Sequence, residues 1–105
     1  MKEQLERMFP GAVVTVAGGT WTAKAGRITV KIIEHAWGDG CTTNATFDDI
    51  MVTTAAHGSD IASSVALFRS HVAYAADKGP TKTARARAAR VLRVLDAAKV
   101  GEVTL

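Results

Sequence analysis

Apolar residues recur along this chain with two periods, and the change of period divides it. Between Ala12 and His35 they alternate with polar ones, the period of a strand with one packed face. Three strands are predicted, at Ala12–Ala17, Thr20–Lys24 and Arg27–His35, joined by tight turns at Gly18-Gly19 and Ala25-Gly26. In the third, Ile28, Val30 and Ile32 fall on one face and Thr29, Lys31 and Ile33 on the other, and Trp21 shares a face with Ala23 in the second. This is the signature of an antiparallel meander with one face packed and the other mostly wet.

After Ser59 or Asp60, either able to cap a helix, the recurrence becomes helical. Ile61, Val65, Phe68, Val72 and Ala76 form a stripe over a helix ending at Lys78, with Leu67, His71 and Tyr74 on a narrower edge. Gly79-Pro80 breaks it, and Thr81 or Thr83 can cap a second helix running to Gly101. In that helix Ala84, Ala88, Val91, Leu95 and Ala98 make the apolar stripe, with Leu92 beside it. Lys82, Arg90 and Arg93 lie opposite, flanked by Arg85 and Arg87.

The remaining stretches are less regular. Residues 2–8 read as a short helix with Leu5 and Met8 on its apolar edge, ended by Pro10-Gly11. Trp37 to Asn44, with two glycines and several small polar residues, reads as a loop. Within 45–57, Asp48-Asp49 suits a helix start, whereas Ile50-Met51-Val52-Thr53-Thr54 favours a fourth strand at 49–55. The tail Glu102–Leu105 either frays or adds an edge strand. A run of strands followed by a run of helices predicts an α+β fold: a short N-terminal helix, a three- to four-stranded antiparallel meander, and two C-terminal helices packed on one sheet face. With 105 residues, 1–105 reads as one domain.

Composition narrows the functional classes. Hydrophobic residues make up 48% of the chain, enough for a core and unlike a disordered chain. No apolar run has the length of a membrane span, and the charged start Met-Lys-Glu-Gln-Leu-Glu-Arg-Met has no signal-peptide core, so a cytoplasmic protein without a membrane partner is expected. Charge is uneven. Residues 80–105 hold six Lys/Arg against Asp96 and Glu102, a net of +4, and residues 1–79 hold seven against eight acids, a net of −1. Excess positive charge confined to the last quarter suits an acidic partner, or else an ordinary solvated helix face.

Candidate chemistry is sparse. His35, Trp37, Asp39 and Cys41 lie within seven residues, and Cys, His and Asp are the components of an activated thiol. Their closeness in sequence does not supply a triad's geometry. Cys41, the single cysteine, excludes an intrachain disulfide. His35, His57 and His71 match no short metal-ligand spacing, and no glycine pattern forms a phosphate-binding loop, so neither metal nor cofactor is expected.

What remains is the basic helix. Lys82, Arg85, Arg87, Arg90 and Arg93 could contact several phosphates, and Arg suits bidentate pairing to phosphate or carboxylate. No aromatic is interleaved among them; Trp21 and Trp37 are the candidate stacking residues, with core packing the commoner fate of Trp. In general character (short, Ala-rich, without a catalytic motif) the chain is similar to the small accessory proteins of phages and other mobile elements, anti-CRISPR inhibitors among them. That similarity covers no motif and assigns no residue. The expectation is a small non-enzymatic binding protein whose basic helix engages nucleic acid or an acidic patch of a protein–nucleic-acid assembly, and which is compatible with a homodimer. The alternatives are a mobile-element inhibitor that blocks a host protein complex and, more remotely, a Cys41-dependent enzyme.

Overall fold

A computed structural model describes residues 3, 6, 7, 9 and 12–97 of the chain. In order along the chain lie β1 (Val13–Ala17), β2 (Thr20–Ala25), β3 (Ile28–Glu34), β4 (Cys41–Phe47), β5 (Ile50–Met51), β6 (Ala56–Gly58), α1 (Ile61–Lys78) and α2 (Lys82–Ala97). All strand pairs are antiparallel. The first four form a meander, and β5 and β6 both line the free edge of β4, opposite Thr46–Phe47 and Cys41–Thr43 respectively.

The α+β class and the pair of C-terminal helices are as expected, but the sheet has more strands than the expected three or four. The stretch Cys41–Asn44, expected as loop, begins β4; of the strand expected at 49–55 only Ile50–Met51 is strand, β5, and the next strand, β6, starts after it at Ala56. Of the expected N-terminal helix at 2–8 only Glu3, Glu6 and Arg7 are described, each in helical conformation; the rest of that stretch lies outside the described residues, and no N-terminal helix stands among the described elements. Ala98, Gly101 and the tail Glu102–Leu105 also lie outside them.

Alternation gives the sheet its sidedness. The face carrying Val14, Ala23, Val30, Ile32 and Ala45 is buried. Against it packs the stripe Ile61, Val65, Phe68 and Val72 of α1, and Ala88, Val91 and Leu95 of α2 complete the core. One buried polar contact joins sheet to helix: the Thr43 and Ser64 hydroxyls are 2.6 Å apart, and Ser64 Oγ also donates to the Ala56 carbonyl. Such a pair is tolerated inside because each hydroxyl has a partner.

Local chemistry sets the helix ends. Asp60 caps α1, its carboxylate accepting from the Ser63 amide at 2.7 Å. Thr81 caps α2 by accepting from the Ala84 amide at 3.0 Å. Three residues separate the two helices, which lie against each other. Arg69 of α1 and Asp96 of α2 pair across them.

Candidate binding surface

The five basic residues of α2 divide among three environments. Arg85 is not free: its Nη1 donates to the Gly79 carbonyl at 2.7 Å, closing the end of α1. Lys82 and Arg93 project outward and exposed. Arg90 turns toward the far end of β4, where its guanidinium lies 5.0 Å from the Phe47 ring centroid, and the charge of Arg87 is felt at Asp48 just beyond that strand. The side chain of Arg27, in the β2–β3 turn, comes to the same ring at 4.7 Å. The single basic face expected from the helical pattern is therefore a cluster drawn from helix and sheet, with Arg85 partly withdrawn from it.

Asp48 is the anionic centre of this cluster. Asp48-Asp49 form the two-residue turn between β4 and β5, with φ of 51° and 65°. Asp and Asn tolerate that left-handed backbone better than other side-chain-bearing residues. The turn presents the Asp48 carboxylate to Arg27, whose Nε donates to both oxygens at 2.9 and 3.0 Å and whose Nη2 also pairs with it. The hydrogen bond from Arg27 is the main cause that holds the Asp48 carboxyl below its ordinary pKa, with weaker help from the charges of Arg87 and Arg90. Among the described residues, Lys82, Arg87, Arg90 and Arg93 form no ion pair. The cluster thus keeps a surplus of cations.

A pH dependence follows. The folded-state pKa of Asp48 lies below its unfolded value, so on acidification the unfolded chain takes up the proton first. The stability due to this group is present above the ordinary carboxylate pKa of about 3.9 and is lost as pH falls through the lowered folded value. Asp48→Asn retains a side chain that accepts positive φ but removes the charge. The expected result is a flatter acid limb in a plot of denaturation midpoint against pH, with curves of similar shape near neutrality. An unchanged acid limb would show that Asp48 is not coupled to folding.

The hairpin between β3 and β4 places the other candidates. His35 Nδ1 lies 2.8 Å from Asp39 Oδ1, and Nε2 lies 2.6 Å from Thr42 Oγ1. The His35 ring stacks on His57, centroids 4.7 Å apart and planes inclined by 24°. Asp39 thus joins His35, but the third member is Thr42 and not Cys41. Successive strand residues point to opposite faces, so Cys41 enters the core while Thr42 stays outside. Burial pushes the Cys41 thiol pKa up, away from the thiolate that nucleophilic chemistry needs.

The two tryptophans separate as well. Trp21 packs beside the core, its Nε1 donating to Glu34 at 3.0 Å, while Trp37 at the hairpin is 91% exposed. His71 is partly buried, and its Nδ1 has no partner among the described residues. Among those residues no group of three His, Cys, Asp or Glu could hold a metal ion, and no helix is long and apolar enough to cross a membrane.

Reasoning from the sequence missed Arg27, Phe47 and Asp48 as parts of the cationic cluster. The usable signal was Asp48-Asp49 directly before a β-prone run, which fits a hairpin turn as well as a helix start. No protein-family model matches the chain, and no curated protein or solved structure shows significant similarity to it.

Proposed function

We propose that this is a non-enzymatic binding protein that engages nucleic-acid phosphates through the cationic surface of α2 and the adjoining end of the sheet. The observation that carries the reading is the convergence of Arg90 with Arg27 over Phe47, with Arg87 near enough to act on Asp48, beside outward-facing Lys82 and Arg93. Arg27 is neutralised by Asp48; the others form no ion pair with a described residue. Guanidinium groups so placed offer paired donors to phosphate oxygens. Arg85 contributes less to the surface, because one of its N–H donors is held by the Gly79 carbonyl.

The test is Arg87→Gln/Arg90→Gln/Arg93→Gln. Glutamine removes charge without placing new carboxylates beside Asp48, and the expected stability cost is mainly the Arg90–Phe47 contact, about 0.5–1 kcal/mol. Wild-type affinity for nucleic acid should fall steeply with salt, with a logarithmic slope of about −0.9 per phosphate neutralised on duplex. The folded variant should bind at least ten-fold more weakly, with a flatter slope. Recovery of partners from the native host with and without nuclease decides the partner class. Nuclease-sensitive recovery supports nucleic acid; nuclease-resistant recovery of one protein assigns the surface to an acidic protein patch. Unchanged affinity of the folded variant for the native partner would reduce this surface to solvated helix.

A further inference from the structure

The outer face of the sheet, away from both helices, is a second surface with its own chemistry. Cross-strand pairing aligns Thr15, Thr22, Lys31 and Asn44 in its middle row and Lys24, Thr29 and Thr46 in the next. None of these side chains is buried, and no described residue covers them. No outward position on any of the six strands is Asp or Glu, although the chain holds ten acids. The second row ends in exposed Val13 on β1 and exposed Met51 on β5; between these ends the face is hydroxyl-rich and cationic.

One end of this face is aromatic. Thr42 and His57 pair across β4 and β6 on the outer side, and His35, hydrogen-bonded to Thr42, stacks on His57. Both nitrogens of the His35 ring are engaged, by Asp39 and Thr42, so the ring is held in place before any ligand arrives. Trp37 stands at the tip of the same hairpin, almost wholly in solvent. Core packing therefore does not account for Trp37.

We propose that this outer sheet face binds single-stranded nucleic acid. Its phosphates would lie over Lys24, Lys31 and the threonine hydroxyls, and its bases would stack at the His35–His57–Trp37 end. Charge complementarity selects a polyanion, because Lys24 and Lys31 face outward and no carboxylate occupies an outward position on those strands, Glu34 at the end of β3 pairing with Trp21 of the opposite face. The exposed aromatic end selects an unpaired strand, since bases inside a duplex do not offer their faces. The middle row has no large apolar side chain, and the exposed Val13 and Met51 stand at opposite edges of the sheet, on β1 and β5, so they do not form the contiguous apolar core of a protein–protein interface. Seven-residue strands span roughly 20 Å, room for a few nucleotides. This surface goes beyond the one on α2 and does not depend on it.

The test uses the whole chain with labelled oligothymidylate at low salt, with the matching duplex and polyglutamate as competitors. Amide-shift mapping on the wild type should show the changes at Thr22, Lys31, Asn44, Thr42 and His57. Lys24→Gln/Lys31→Gln and, separately, Trp37→Ala should each weaken binding at least five-fold. Trp37→Ala lies at an exposed hairpin tip, so loss of folding does not confound it. The Arg87, Arg90 and Arg93 variant should leave the oligothymidylate shifts on the sheet in place. The proposal is overturned if the wild type does not bind the oligonucleotide, if polyglutamate or duplex competes equally well, or if the shifts map to α2 alone. The last result would leave the α2 reading standing. Shifts confined to the sheet, with nuclease-resistant recovery through α2, would sink that reading and keep this one.

Discussion

Phe68→Ala is expected to destabilise the protein by about 3–5 kcal/mol. Phe68 has no solvent exposure and lies in the middle of the α1 stripe, between Val65 and Val72, where the helix meets the sheet. Removing the ring loses its transfer free energy and leaves a cavity that a helix pinned to α2 and the sheet cannot close fully. Domains of this size have total stabilities of only about 5–15 kcal/mol, so the loss is a large share. A fall in Tm of roughly ten degrees or more is expected, read by thermal denaturation followed by circular dichroism. A Tm within two degrees of wild type would mean that the stripe does not form the core contact.

Gly58→Ala is expected to cost about 3 kcal/mol or more, at the upper end for overpacking, through a contact that no side-chain repacking can relieve. A Cβ at Gly58 would lie 2.3 Å from the Ser64 amide nitrogen and 2.7 Å from its Cα, both backbone atoms of the first turns of α1. Something larger than a rotamer must move: either β6 leaves β4, or the start of α1 lifts from the sheet. Gly40 backs the same spot, because a Cβ there would come 2.2 Å from the Gly58 carbonyl oxygen. Hydrogen exchange should therefore show lost protection in β6 and the first turns of α1 before the rest of the sheet is affected. Wild-type stability in Gly58→Ala would show that β6 and α1 are farther apart than described.

The elements whose pattern repeats were legible along the chain. Two helical stripes and three alternating strands are local periodicities, and the side chains they assigned to the interior, such as Val30, Ile32, Val65 and Val91, are buried. Caps were legible to within a pair for the same reason, since a cap acts within three residues; the structure chooses Asp60 over Ser59 and Thr81 over Thr83. β4 was not. Its inward set is Cys41, Thr43, Ala45 and Phe47, which includes a hydroxyl, and its outward set includes Thr42 and Thr46. Inside and outside are hardly distinguishable by polarity, and two glycines precede them. Thr43 can be inside because Ser64, 21 residues away, meets its hydroxyl.

The candidate surfaces divide in the same way. That α2 has a cationic side follows from residue spacing alone. That Arg85 is diverted to Gly79, that Arg90 lies over Phe47, and that Arg27 joins them through Asp48 are consequences of packing a helix hairpin on the end of a sheet. Likewise His35 and Asp39 were visible as neighbours, but their partners Thr42 and His57 were set by which strands pair and in which register. Periodicity and capping are local and are written in the chain. Which distant charges and rings share a surface is decided by strand register and helix packing, because contacts across 20 or more residues exist only once the core has brought the elements together.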